Sequence, residues 1–147
     1  MQKVTFRPYL KTDRQTCLSI FDANCPEYFA PNERADYVRF LDTFPENYEL
    51  CEVSGKVMGA FGLFNIDADA KELNWILLDP NTQGQGIGSI IMTRVSTSAN
   101  AAGAHVVHIA TSHKATSFFA KFGAKITSVT DHGWGTDMHR VDMAIYL

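Results

Sequence analysis

Apolar residues change period several times along the 147-residue chain, and the changes mark its elements. Alternation of Val4 and Phe6 predicts a short first strand. Cys17, Ile20 and Phe21 recur at helical spacing, and Thr12 with Gln15 ahead of them has the separation of a capping box. A second helix is expected after Ala30-Pro31-Asn32-Glu33, where a proline and an acidic residue occupy early positions. Tyr37, Phe40 and Leu41 form its apolar stripe. A short aromatic connection, Pro26-Glu27-Tyr28-Phe29, joins the two helices.

Runs from Tyr48 to Val53 and from Lys56 to Phe64 read as strands joined by a two-residue turn at Ser54-Gly55. Gly59 and Gly62 interrupt the second run and predict a bulge or a close backbone approach. An acidic turn over 65–71 leads to a strand from Glu72 to Leu78. Ile87, Ile90, Ile91, Val95 and Ala99 then recur at helical spacing, up to Gly103 as the C-cap. Val106 to Ala110 is dense in apolar, β-branched residues and reads as a buried strand. A short helix over 115–122 closes at Gly123, and a strand follows from Lys125 to Val129. A glycine-flanked loop over 131–137 precedes a final strand from Met138 to Tyr146, in which Val141, Met143 and Ile145 alternate. The order β-α-α-β-β-β-α-β-α-β-β predicts one α/β domain over residues 1–147.

The junction at residues 79–89 carries the clearest chemistry. Asp79-Pro80 ends a strand, because proline lacks the ladder donor. Gly84, Gly86 and Gly88 alternate just before a helix, which leaves N–H groups uncovered at the positive end of its dipole. Such a place binds an anion, above all a phosphate. A nucleoside-triphosphate loop would need lysine after the last glycine, and none is present. A dinucleotide fingerprint would need glycine where Ser89 stands, and it belongs on the first strand of its βαβ unit.

What remains, Gln83-x-x-Gly86-x-Gly88, resembles the Q/R-x-x-G-x-G/A signature of the GCN5-related N-acetyltransferase (GNAT) family. The element order over nearly the whole chain is similar to that family too. A second stretch, Ser112 to Ala124, matches the family's N-x-x-A-x-x-F-Y-x-K-x-G-F pattern at Ala115, Phe118, Lys121 and Gly123. The resemblance implies the acyl-CoA N-acyltransferase fold. That is a mixed, mainly antiparallel sheet with a splayed parallel strand pair and about four helices.

It further implies acetyl-coenzyme A as cofactor, its diphosphate held at Gln83, Gly84, Gln85, Gly86, Ile87, Gly88 and Ser89. The strand at Ile76, Leu77 and Leu78 would pair with the pantetheine arm, as an added strand would. Ser112, Ala115, Phe118, Phe119 and Lys121 complete the expected cofactor site. Two departures stand out. Ser112 replaces an asparagine, though its hydroxyl still donates and accepts. Phe119 replaces a tyrosine that serves as general acid, and a phenyl ring donates no proton. Tyr28 and Tyr146 are candidate replacements.

Glu72 lies eleven positions before Gln83, the spacing of the catalytic glutamate in the histone-type branch of the family. The resemblance therefore implies that Glu72, or a water it holds, removes the proton from an ammonium substrate; its other role would be a solvated carboxylate beside Lys71. Tyr28 and Trp134, in the two loops best placed to meet an acceptor, are the expected substrate-binding residues. The implied reaction is acetyl transfer to a primary amine of a small molecule or peptide by direct attack. The competing reading is a non-catalytic module that binds coenzyme A.

Composition narrows the partners. Net charge is −3, with no run of Lys and Arg, so no nucleic-acid surface is indicated. The three cysteines, Cys17, Cys25 and Cys51, form neither a disulfide framework nor a zinc pattern. His105 and His108 fall on opposite faces of a strand, and no metal site is expected. The first residues lack the apolar core of a signal peptide and no span approaches membrane length, so the cytoplasm is the default compartment. The final strand is a candidate for pairing across a homodimer edge.

Overall fold

A computed structural model describes residues 3–82 and 85–147. Its strands are β1 (Val4–Pro8), β2 (Tyr48–Val53), β3 (Lys56–Asn65), β4 (Ala70–Leu78), β5 (Val106–Ser112), β6 (Lys125–Gly135) and β7 (Met138–Tyr146). They form one sheet in the order β1-β2-β3-β4-β5-β7-β6. Only β4 and β5 run parallel; the other neighbours are antiparallel. The helices are α1 (Arg14–Ala23), α2 (Glu33–Asp42), α3 (Ile87–Ala101) and α4 (Thr116–Ala120). The α/β class, the mixed sheet and the helix count agree with the expectation above.

Each sheet face has its own core. On one, Ile87, Ile91, Met92, Val95 and Ala99 of α3 pack with Phe119 of α4 against Leu73, Val107, Ile109, Val141 and Met143. On the other, Cys17, Leu18, Ile20 and Phe21 of α1 and Tyr37 and Leu41 of α2 cover Tyr48, Leu50, Ala60 and Leu77. Burying each large apolar side chain contributes roughly 1.5–3 kcal/mol, so these two layers hold the sheet between them.

Several local expectations need correction. The capping box at Thr12 and Gln15 does not form; a 3₁₀ turn at Lys11–Asp13 leads into α1, and the Asp13 carboxylate accepts the Leu10 N–H at 2.8 Å. Arg7 grips the same carboxylate with two bonds of 2.8 Å, tying β1 to the helix start. Residues 131–135 are not a loop but the end of β6, with Gly135 paired to Met138. Up to Gly133 the strand is exposed on both faces, so no apolar alternation betrays it. Finally, β7 lies between β5 and β6, so the last strand has no free edge; among the described residues the sheet edges are β1 and β6.

The expected irregularity of β3 is present: against β2, Cys51↔Gly59 is followed by Glu52↔Val57, so β3 carries one extra residue beside Gly59. A second bulge falls on β4. Between Ala60↔Leu77 and Gly62↔Asn74 the β4 strand carries one residue more than β3, and Trp75 sits there at φ 49°. A left-handed tryptophan costs on the order of 1–3 kcal/mol. Its surroundings hold it in place. The Tyr48 hydroxyl donates to the Trp75 carbonyl at 2.6 Å, and the Tyr37 ring packs on the indole with centroids 4.9 Å apart. Gly59 allows the close approach: a Cβ there would lie 3.0 Å from the Leu77 carbonyl oxygen.

Candidate active site

The parallel pair is short. β4 and β5 are in register from Ala70↔Val106 to Leu73↔Ile109 and then part. The bulge at Trp75 turns β4 away at that point, which leaves the β5-facing edge of residues 76–78 without a ladder partner among the described residues. The gap between the strands is a cleft of about 880 Å³ that reaches from the start of α3 to the connection between α1 and α2.

One end of the cleft is electropositive. Gly86 caps α3 at φ 73°, a conformation suited to glycine, and Gly86, Ile87, Gly88 and Ser89 line the wall. Gly88 has a second reason to be glycine, since a Cβ there would meet the Phe118 ring at 2.6 Å. The free N–H groups of this first turn, with Lys114 and Lys121 nearby in the lining, favour an anionic ligand.

The middle carries an unmet hydrogen bond. Ser112, 4% exposed at the end of β5, lines the cleft, and its hydroxyl has no partner among the described residues. A buried, unpaired hydroxyl costs roughly 1–3 kcal/mol, and a ligand amide in the cleft would offset that cost. The Asn24 amide donates to the Leu78 carbonyl at 2.9 Å and holds the end of β4 against α1.

The far end is aromatic and acidic. Glu27, Tyr28, Phe29 and Glu33 come from the α1–α2 side, Trp75 from the bulge and Trp134 from β6. The Trp134 indole N–H donates to the Thr111 carbonyl at 2.8 Å, and the Arg140 guanidinium lies 5.0 Å over its ring. Asn32 donates to the Trp134 carbonyl at 2.7 Å, so the two acceptor-side segments are bonded to each other. Glu33 is 5% exposed, and burial pushes its carboxyl up to about 7 from an ordinary 4.5 although the Ala30 N–H opposes the shift.

Most residues expected from the sequence meet in this cleft: Tyr28, Ile76, Leu77, Leu78, Gly86 to Ser89, Ser112, Ala115, Phe118, Phe119, Lys121 and Trp134 all line it. Gln83 and Gly84 lie outside the described residues. Gln85 is exposed, bonds to the Asn81 carbonyl at 3.1 Å and is not in the lining. Glu72 is half-buried at the last stretch of paired β4, in register with His108, and the lining begins one residue later at Leu73. Tyr146 is exposed and away from the cleft, which leaves Tyr28 as the tyrosine in its wall. Phe119 is sunk in the core beneath the cleft with only its face in the lining, so no hydroxyl stands at that position.

No cysteine among the described residues lines the cleft. Cys17 and Cys51 are buried, and burial pushes both thiols up to about 11, far from the thiolate that nucleophilic chemistry needs. Residues not named for the site from the sequence are Asn24, Glu27, Phe29, Glu33, Trp75 and Lys114. Of these, Glu27 and Phe29 lie in the aromatic connection the sequence marked, and Glu33 carried a signal as the acid that opens α2.

Known proteins give the arrangement its context. The model of the acetyltransferase (GNAT) family matches residues 17–124. Ard1 from Thermoplasma volcanium superposes with a TM-score of 0.81 at 17% identity, over 98% of this chain and 97% of that one. The ribosomal-protein-S18-alanine N-acetyltransferase of Escherichia coli gives 0.77 at 16% identity, over 98% and 94%. Rv2747 from Mycobacterium tuberculosis, solved with coenzyme A, gives 0.71 at 19% identity, over 97% and 99%. No curated protein matches the chain in sequence. At these identities the structures speak for the fold alone, while the family model matches most of the sequence, including the strand, glycine turn and helix that build the electropositive end. The chain belongs to the acetyltransferase (GNAT) family.

Proposed function

We propose that this protein transfers the acetyl group of acetyl-coenzyme A to a primary amine of a small molecule or peptide, directly and without an acyl-enzyme. The observation that carries the reading is the continuity of the cleft. It passes between the parted strands and joins an anion-binding helix start to an acidic, aromatic chamber.

The residues fit the cofactor. The first turn of α3, with Lys114 and Lys121, suits a diphosphate; the Ser112 hydroxyl and the open edge at 76–78 suit the two amides of a pantetheine arm. Once bound, acetyl-coenzyme A supplies an activated acetyl thioester. The chain supplies the rest. Glu27 and Glu33 attract an ammonium, and Tyr28, Phe29, Trp75 and Trp134 offer flat apolar surface and cation–π contact to the body that bears it. The family resemblance implies Glu72 or a water it holds as the base, although the cleft lining begins one residue later, at Leu73, and Glu33 is the buried carboxyl in the wall. Buried, weakly acidic thiols support the absence of a covalent intermediate.

Saturating acetyl-coenzyme A, at about 100 times its dissociation constant, is expected to stabilise the fold by roughly 2.7 kcal/mol. That corresponds to a melting shift of several degrees, at about 2–4 °C per kcal/mol. Thiol release followed across a panel of amines then separates transfer from mere binding. Aromatic and arylalkyl amines are expected to lead the panel. Tight coenzyme A binding with no thiol release from any amine would reject the reaction, and no melting shift would reject the cofactor.

A further inference from the structure

Direct transfer to an amine needs a group that takes a proton from the ammonium; the cleft wall holds Glu27, Glu33 and Asp79, and Glu72 lies one residue outside it. Asp79 is half-buried, at the turn before α3, and accepts the Asn81 N–H at 2.9 Å. Glu27 lines the chamber but is exposed. Glu72 is half-buried and its residue is not in the chamber wall. Glu33 alone is both buried and in the wall.

The hydrogen bonds of Glu33 leave one oxygen available. Oε2 accepts the Ala30 N–H at 2.7 Å, which fixes the carboxyl group. Among the described residues no donor is bonded to Oε1. Nor is Oε1 sealed away, because the fully buried side-chain oxygens without a partner among the described residues belong to Tyr9 and Ser112. Glu33 itself lines the cleft. A carboxyl anchored through one oxygen and open at the other has the form of a proton acceptor.

Its electrostatic setting points the same way. Burial disfavours the charged form most, and Asp36, one turn along α2, adds to it, while the Ala30 N–H and the start of the helix favour it. From the connection between α1 and α2, Cys25, Glu27 and Tyr28 are the titratable neighbours; β4 and β6 face the chamber with Asn74, Trp75 and Trp134, which are uncharged. The net result is a carboxyl poised about 7, where an acid–base group is half ionised at working pH.

We propose that Glu33 is the general base of this enzyme. In the step assigned to it, an N–H bond of the substrate ammonium breaks and its electron pair stays on nitrogen. The proton passes to Oε1, directly or through one water, and a neutral amine remains. The assignment rests on the acetyl-transfer reading above, and it places the base on the acceptor side of the cleft, not on the strand that holds the cofactor.

Two measurements test it. The first needs no turnover: carboxyl resonances of the free protein, labelled with ¹³C-glutamate, are followed against pH in the wild type and in Glu33→Gln. One carboxyl is expected to titrate about 7 and to be missing from the variant. A Glu33 that titrates in the ordinary carboxylate range overturns the proposal. The second is the pH dependence of kcat/KM with the best amine of the panel. The wild type should show an acidic limb with its midpoint about 7. Glu33→Gln should lose that limb and roughly 10²–10⁴ in kcat/KM, while coenzyme A binds within about twofold of the wild type. An unchanged limb in Glu33→Gln, or its loss only in Glu72→Gln, overturns the proposal and leaves acetyl transfer standing. A wild type that binds coenzyme A but acetylates no amine overturns the transfer reading itself.

Discussion

Burial of Glu33 predicts a pH-dependent stability that can be read without any substrate. The carboxyl moves from 4.5 to about 7 on folding. Between those values the folded chain holds more protons than the unfolded one, so stability falls as pH rises through the window. It is highest below 4.5, and the full loss is reached above 7. At 1.36 kcal/mol per unit, a shift of about 2.5 units amounts to roughly 3 kcal/mol. Glu33→Gln removes the titration but keeps an acceptor for the Ala30 N–H, so its stability should not carry this slope. Urea unfolding of both proteins at pH 5 and pH 8 gives the difference, and subtraction cancels every other titrating group. The variant should gain about 2.5 kcal/mol on the wild type between those two pH values, or roughly 5–10 °C in melting temperature. A difference that stays flat within about 0.5 kcal/mol would refute the reasoning: Glu33 would be an ordinary ionised carboxylate, and the base assignment would lose its physical footing.

Ser112→Ala removes a hydroxyl that has no partner among the described residues, so the free protein should be as stable or slightly more stable. Coenzyme A should bind roughly 2- to 12-fold more weakly in calorimetry, the worth of one hydrogen bond. Gly88→Ala should improve the helix by up to about 1 kcal/mol yet weaken coenzyme A, because its methyl group drives the Phe118 ring, 2.6 Å away, into the cleft. Opposite signs for melting temperature and affinity are the signature to look for. Tyr48→Phe strips the hydroxyl from the bulge carbonyl of Trp75 and should cost roughly 1–3 kcal/mol by denaturant unfolding. Asp13, whose carboxyl is held below its ordinary value by Arg7, stabilises the fold at neutral pH and loses that effect as pH falls through the carboxylate range. Asp13→Asn should therefore flatten the acid limb of the stability curve.

The two halves of the cleft were legible in the sequence to different degrees, and the reason is physical. The cofactor half is built by neighbours in the chain: a strand, a glycine turn and a helix within Ala70–Ala101, whose periodicities and glycines are local signals. The parting of β4 from β5 came through the family resemblance, not through spacing, because nothing about Trp75 marks it for a left-handed conformation. What forces that conformation is Tyr48, 27 positions away, together with the aromatic stack of α2. The same limit applies to β6, where Thr130 to Gly133 are exposed on both faces and write no alternation into the sequence.

The acceptor half is the extreme case. Glu33 had a correct local reading, as the acid at the start of α2, and it does bond the Ala30 N–H there. Its burial is a matter of tertiary packing: Phe29 and Trp134 line the same cleft, and Asn32 ties Trp134 to the start of α2 across 102 positions of chain. A helix-opening glutamate in water and one buried in that wall are the same letter in the sequence. They differ by the loss of water around the carboxyl, which only tertiary packing creates. It follows that the acceptor should be set by the contact between the α1–α2 connection and β6, and that changes at Asn32 or Trp134 should alter amine preference while coenzyme A affinity holds.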